Sequence, residues 1–300
     1  MLMRPISDDV RARAQVAWRN VRANRGWRPV DLMNWHRMVR PLRMLAPPGG
    51  ALDMYQLVYD LCTRLDVRYE PNRETAFVPK SLALRNGPVG EPRVGLFVDA
   101  PEHLSGVCRT LAEWAATARE RDRDLRVHGC GSGSASTTVM FPAIGNLLVE
   151  AYDGLRLSVP HVRDLLRYVD RERFDVIHVS TPGPMGLMGL LAARRGGVPV
   201  CGTYHTDLPR YAAALTGDPQ LEQAGWRFMQ WFYGQLDAIA APTPSILEDL
   251  VAHGFPRARL TVVGRGVNTR EFAPALRDDG WRATWGARQP FKVLYVGRIS

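Results

Sequence analysis

The sequence predicts an α/β chain built on a doubly wound parallel sheet, with a helical N-terminal extension before it and a truncated second domain after it. Three observations carry that prediction. From Arg93 onward, short apolar runs rich in Val and Ile alternate with segments of helical periodicity. Several of these runs are apolar throughout, as strands covered on both faces should be. Gly and Pro clusters punctuate the series.

Residues 1–50 read as a basic amphipathic extension. They hold ten Arg against three Asp, so most of the net charge of +9 sits there and the remainder is close to neutral. That distribution argues against a global nucleic-acid footprint. Val10, Ala14, Ala17, Trp18 and Val21 fall at helical spacing, with Arg11, Arg19, Arg22 and Arg25 elsewhere around the wheel. Two readings stand: an amphipathic element lying on an anionic membrane surface, or a helix packed on its own domain with solvated arginines. A Pro-Pro-Gly-Gly linker over 47–50 ends the segment.

Residues 51–90 form a small α+β linker unit. A helix over 52–65 is followed by short strands at 67–69 and 76–78, expected to pair, and Asn86-Gly87-Pro88 breaks the chain again.

The main domain covers 91–276. It opens with a buried strand at 94–98, a loop from Asp99 to Gly106 and a helix over 107–121. A strand at 125–128, a third at 147–150 and a helix over 162–169 follow. The stretch 174–211 is the clearest βαβ unit: a strand at 175–179, a Thr181-Pro182-Gly183-Pro184 break, a helix over 185–195, a Gly196-Gly197 stop and a strand at 198–203. Pro184 suits a first helical position, and Arg194 and Arg195 suit the negative end of the helix dipole. A helix over 220–236, a strand at 237–241, a helix over 246–252 and a strand at 260–263 complete the series. Residues 277–290 read as a linker. Residues 291–300 read as the first strand of a second domain, cut off at its threshold.

Hydrophobic residues make up 46% of the chain and charged residues 23%, which excludes general disorder. Apolar runs fall short of a membrane span, and the N-terminus lacks a secretory pattern. Cys62, Cys108, Cys130 and Cys201 have no paired spacing, so reduced thiols in a cytoplasmic protein are expected, with neither disulfides nor a zinc site.

The candidate chemistry gathers at the ends of strands. Ser105-Gly106-Val107 opens a helix, where backbone N–H groups and the helix dipole can receive a phosphate. Gly129-Cys130-Gly131-Ser132-Gly133 follows a strand, but its GxGxG spacing lacks the GxGxxG of a dinucleotide site, so a loop is the better reading and a nicotinamide-dependent oxidoreductase is disfavoured. His205, between Tyr204 and Thr206-Asp207, leaves a strand at its C-terminal end, where open parallel sheets bind ligands. His178 reads as a core histidine, and His103 as a second cleft residue. Asp99, Glu102 and Asp207 are each candidate bases, and the residues alone do not choose among them. No HxxxH or carboxylate cluster points to a metal.

In order, the blocks VGLFVDAPEHLSGVCRTL, RERFDVIHVSTPGPMGLMGLLAARRGGVPVCGTYHTDLPRY, WFYGQLDAIAAPTPSILEDL, VVGRGVNTREFAP and LYVGRIS resemble the N-terminal half of a family 4 glycosyltransferase of GT-B fold. The resemblance covers about two-thirds of the chain, residues 93–300. It implies two Rossmann-like domains facing a cleft, and retaining transfer of a sugar from a nucleotide-sugar donor of GDP-mannose or UDP-hexose type to a lipid or glycan acceptor. Gly106 and Val107 would meet the donor diphosphate, with Arg298 as a fork-like cation. His205 would lie against the donor sugar as the catalytic-site residue. Glu102, His103, Tyr204, Thr206, Asp207 and Tyr211 would line the acceptor side. The resemblance also implies no cofactor and no essential metal; the charge distribution implies no nucleic-acid partner, and the cysteines a cytoplasmic place, peripheral on the inner membrane face if residues 1–50 bind there. A non-catalytic membrane- or partner-binding domain is the alternative. The family's lysine and glutamates beyond the VGR block are absent from these 300 residues, so no transferase activity is expected of them alone. Asn268 stands where aspartate is usual, and residues 1–90 have no counterpart in the family pattern.

Overall fold

The computed structural model describes residues 67–71, 91–101, 105–131, 138–149, 155–277 and 280. The expected extension over 1–50, the helix at 52–65, the strand at 76–78, most of the 277–290 linker and the strand at 291–297 lie outside the described residues. The chain divides into two units, Met1–Val263 and Gly264–Ser300, each taken by itself.

The first unit contains ten described strands: β1 (Val67–Pro71), β2 (Val94–Phe97), β3 (Leu125–Cys130), β4 (Thr138–Phe141), β5 (Ala143–Val149), β6 (Leu155–Pro160), β7 (Val176–Val179), β8 (Val200–Thr203), β9 (Ala238–Ala241) and β10 (Leu260–Val262). Six described α-helices accompany them: α1 (Gly106–Glu120), α2 (Val162–Glu172), α3 (Pro184–Gly196), α4 (Leu208–Thr216), α5 (Pro219–Tyr233) and α6 (Pro244–Ala252). Seven strands form one parallel sheet in the order β10-β9-β8-β7-β2-β3-β4. This is the doubly wound Rossmann-like sheet that the alternation predicts. The chain winds outward from β2 through α1 to β3, then outward on the other side from β7 through α3 to β8. The winding therefore reverses between β2 and β7.

Three expectations need correction. Of the strand expected at 147–150, residues 147–149 are not in the parallel series: β5 begins at Ala143 and pairs antiparallel with β1 and β6 in a separate three-stranded sheet. Its alternation of buried and half-buried residues is that of a strand covered on one face. The next parallel strand is instead β4, only four residues long and preceded by a Ser/Thr-rich run that masks it. Residues 67–71 pair with β5. Finally, α4 fills residues 208–216, to which the sequence reading assigns no element between the strand at 198–203 and the helix over 220–236.

Side-chain alternation divides the core in two. Leu96, Val98 and Val127 face α1, where they pack with Leu111, Ala115, Val107 and Trp114. Phe97, Ile177, Val179, Val200, Ile239 and Ala241 belong to the larger core, together with apolar residues of α2, α3, α5 and α6. Met185, Leu190 and Leu191 of α3 are at most 1% exposed, and each such side chain contributes roughly 1.5–3 kcal/mol by burial. The glycines inside α3 allow that depth. A Cβ on Gly189 would stand 2.9 Å from the Phe97 ring and 3.0 Å from Val179.

His128 on β3 is fully buried. Its Nδ1 lies 3.2 Å from the Leu96 carbonyl, and its ring stacks on Phe97 at 4.8 Å. Burial pushes its pKa down to about 3, so it is neutral in the folded protein. Near the start of β2 and β3, Arg126 and Arg93 pair with Asp124 and Glu172. That network ties β2 and β3 to the end of α2, far from the edge where the loops of interest emerge.

The described part of the second unit is a turn ending in a short 3-10 helix, Pro274–Leu276. Asn268 Oδ1 accepts from the Arg270 and Glu271 amides at 3.1 and 3.3 Å. This is a local turn cap that aspartate would make equally well.

Candidate functional site

The β2–β7 junction is the topological switch point, and two loops leave it on the same edge. One runs from Asp99 to the start of α1. The other runs from Ser180 to the start of α3. Open α/β sheets bind ligands in the crevice that such a divergence creates.

α1 opens this edge. Ser105 is its N-cap, and the serine hydroxyl accepts from the Cys108 amide at 3.2 Å. Gly106 is exposed, and a Cβ built on it would meet no heavy atom within 4 Å. The fold therefore does not require glycine there. The first N–H groups of a helix have no partner within it, so this turn can receive an anion. Val107 contributes its backbone to the same turn, while its side chain packs into the core beneath α1.

Trp114 connects that helix to β7 and β8. Its ring stands edge-on to His178 at 5.8 Å and tilted against His205 at 6.1 Å. His205 leaves β8 two residues after Thr203, half-buried. Gly106 lies eight residues before Trp114, about 12 Å along the helix axis. The helix that presents Gly106 is thus the one packed on His205. Within the sheet, His178 Nε2 lies 3.1 Å from Thr203 Oγ1, and its Nδ1 lies 3.7 Å from Cys201 Sγ. Burial pushes His178 down to about 4, so this ring is a neutral hydrogen-bonding member of the face beneath α1. The Ser180 hydroxyl is buried and has no hydrogen-bond partner among the described residues.

The remaining expected residues separate into groups. Thr206 is exposed beside His205. Asp207 is the N-cap of α4: it accepts from the Arg210 amide at 3.3 Å and pairs with the Arg210 guanidinium at 2.9 Å. Arg210 also grips Asp249 of α6 through two bonds of 2.8 Å. A carboxylate so engaged holds the loop in place and is poorly suited to act as a base. Tyr211 is half-buried on α4.

Tyr204 turns its ring into the core, and only its hydroxyl reaches toward the edge, donating to Asp207 Oδ1 at 3.5 Å. Alternation along the strand turns it away from His205, and it is 3% exposed in the larger core against Tyr233 and Phe255. Burial pushes its phenol up. Glu102, His103 and Arg298 lie outside the described residues. Trp114 was missed as a site residue because helical spacing gives it only as an apolar position. Among the described residues, no group of three His, Cys, Asp or Glu could hold a metal ion. No described helix is long and apolar enough to cross a membrane.

A doubly wound parallel sheet with a helix start and a histidine on its C-terminal edge defines a Rossmann-like α/β domain. The model of Glycosyltransferase Family 4 matches residues 104–271, more than half of the chain. The chain belongs to that family. It is 33% identical over 179 residues to a GDP-mannose-dependent alpha-mannosyltransferase of Mycobacterium tuberculosis (strain CDC 1551 / Oshkosh), covering 60% of this chain and 44% of the relative. It is 30% identical over 152 residues to the sulfoquinovosyl transferase SQD2 of Arabidopsis thaliana, covering 50% of this chain and 30% of that protein. The chain thus spans less than half the length of these curated relatives. Among solved structures, Anabaena Alr3699/HepE in complex with UDP-glucose aligns with a TM-score of 0.44 at 14% identity, covering 65% of this chain and 50% of the other.

Proposed function

We propose that this chain is the acceptor-side half of a retaining glycosyltransferase, which moves a hexose from a nucleotide-sugar donor to a lipid or glycan acceptor. The observation that carries the reading is the packing of His205 against Trp114 of α1, the helix that opens on Gly106. In this reading the α1 start receives the donor diphosphate through the Gly106 and Val107 amides. His205 lies against the transferred sugar. Glu102, His103, Thr206, Asp207 and Tyr211 border the acceptor, with Asp207 acting through the loop it holds. The similarity to GDP-mannose-dependent mannosyltransferases favours a GDP-mannose donor over a UDP-hexose. Neither a metal nor a cofactor enters this scheme. The donor's own phosphate takes the acceptor proton, so the protein need not supply a base.

The test is nucleotide release from GDP-mannose and from UDP-glucose, with and without a glycolipid acceptor, by the protein expressed from its whole reading frame. Acceptor-dependent release with one donor supports the reading, and its loss in His205→Ala ties it to this edge. No release with either donor, from a folded protein, overturns it.

A further inference from the structure

We propose that Asp99 is a positioning residue of the candidate site: its carboxylate, delivered from the end of β2 into the first turn of α3, holds residues 99–101 at the switch point and, through the contact of Ala100 with Cys108, the start of α1 that presents Gly106. α3 has no side-chain cap of its own, because Gly183 occupies the N-cap position. Asp99 supplies one from another strand. Its Oδ1 accepts from the Met185 amide at 2.8 Å, and its Oδ2 accepts from the Thr181 hydroxyl at 2.6 Å. Thr181 Oγ1 in turn accepts from the Asp99 amide at 2.9 Å, so the two switch-point loops hold each other reciprocally. Glycine at 183 makes the space: a Cβ there would stand 2.5 Å from the carboxylate.

Beyond Asp99 the loop is pinned at two more points. Ala100 adopts a positive φ of 45°, and its carbonyl accepts from the Cys108 thiol of α1 at 3.4 Å. Pro101 lies so close to β3 that a Cβ on Gly129 would be 2.3 Å from it. A non-glycine residue with positive φ persists where its surroundings over-determine it, and here three neighbouring elements do so.

The charge on Asp99 is the second argument. Burial pushes its carboxyl up to about 6, against the hydrogen bonds that favour the ionised form. The titratable group that feels this charge is the Cys130 thiol of β3. The α3 side presents only a hydroxyl and amides. At neutral pH the fold therefore keeps a desolvated carboxylate at some expense of stability. Such local conflicts collect where geometry serves a site.

The inference rests on the proposed function only for what the loop presents, so its test needs a readout besides turnover. Hydrogen exchange of residues 100–108 is measured in wild type, Asp99→Asn and Thr181→Val between pH 5 and 8, corrected for intrinsic rates. Asn keeps an acceptor for the Met185 amide but turns an amino group toward the Thr181 hydroxyl, which then has no acceptor there to donate to. Exchange of 100–108 is expected to rise about ten-fold or more in both variants, while 238–252 is unchanged. In wild type but not in Asp99→Asn, protection of the loop should fall as pH rises through about 6, because the opened carboxyl releases its proton more readily. Donor kcat/KM should drop about ten-fold or more in Asp99→Asn. Unchanged loop protection in both variants would overturn the proposal. If Asp99→Asn fails to fold, Thr181→Val decides by the same readout. If wild type turns over no donor, the functional reading falls while the exchange data still decide Asp99.

Discussion

Replacing Gly106 by Ala separates a fold glycine from a ligand glycine. In the structure the added methyl meets nothing within 4 Å, and Gly106 is not among the residues of positive φ. A glycine-to-alanine change at such a position stabilises by about 0.4–1 kcal/mol, mainly by restricting the unfolded chain. For a domain of this size, that is a rise of roughly 1–4 °C in Tm. If a diphosphate rests on the Gly106 and Val107 amides, the methyl stands between it and the backbone. Loss of one charge-assisted hydrogen bond costs about 1.5–3 kcal/mol, or roughly 10- to 150-fold in affinity. The assay pairs a thermal melt with calorimetric titration of GDP-mannose and UDP-glucose into the protein from its whole reading frame. Stability held or raised, with donor affinity lost, is the expected pair. Unchanged affinity would reduce Gly106 to a helix-start glycine. A fall in stability would refute the open geometry from which the argument starts.

The pH dependence of stability follows from three buried groups. His128 and His178 titrate at about 3 and 4 in the folded protein against 6.5 unfolded, so between about pH 4 and 6 the unfolded chain holds about two more protons. Asp99 opposes them, since its folded value of about 6 exceeds 3.8 and the folded state holds one more. The net effect is that stability rises with pH, by about 1.4 kcal/mol per unit from these groups. Denaturant titrations from pH 4.5 to 6 should show that slope, and Asp99→Asn should roughly double it; a slope unchanged in the variant would remove Asp99 from the account. Gly186→Ala should destabilise by about 1–3 kcal/mol or more, because its Cβ would stand 1.7 Å from the Thr181 carbonyl oxygen. Chemical denaturation would show a lower midpoint, and an unchanged one would mean the backbone yields freely. Deleting residues 1–50 should abolish any salt-sensitive sedimentation with anionic vesicles if the basic segment lies on a membrane; vesicle binding that survives the deletion would assign it elsewhere.

The fold was legible in the sequence where burial on both faces leaves an uninterrupted apolar run. β2 is of this kind, β7 and β8 are interrupted only by His178 and Thr203, and Pro184 and Gly197 mark the two ends of α3 because each carries a local backbone signal. β5 was misassigned because a run of apolar letters does not reveal pairing direction; its one-sided burial shows only in three dimensions. α4 was missed for a different reason. Its opening Tyr-His-Thr-Asp reads as loop, yet Asp207 is a capping residue, Pro209 sits in the first turn and Gly217 closes the helix with a φ of 68°. All three signals were present and were outweighed by the polar run. Tyr204 and His205 show the limit of adjacency. Neighbours along an extended chain point to opposite faces, so one enters the core and the other faces α1.

The same edge argues for where an anion can sit. Four helices begin there after a strand of the parallel sheet: α1, α3, α4 and α6. Each offers the positive end of its dipole. The start of α3 already holds the Asp99 carboxylate, and that of α4 holds Asp207, so an incoming phosphate would meet like charge at both. α1 and α6 begin on the hydroxyls of Ser105 and Thr243, which satisfy one amide each and carry no charge. Of those two, α1 follows a switch-point strand and carries the tryptophan packed on His205. In the proposed enzyme the two buried or half-buried carboxylates thus serve specificity by exclusion. They close the starts of α3 and α4 and leave those of α1 and α6, and of these two α1 is the helix packed on His205.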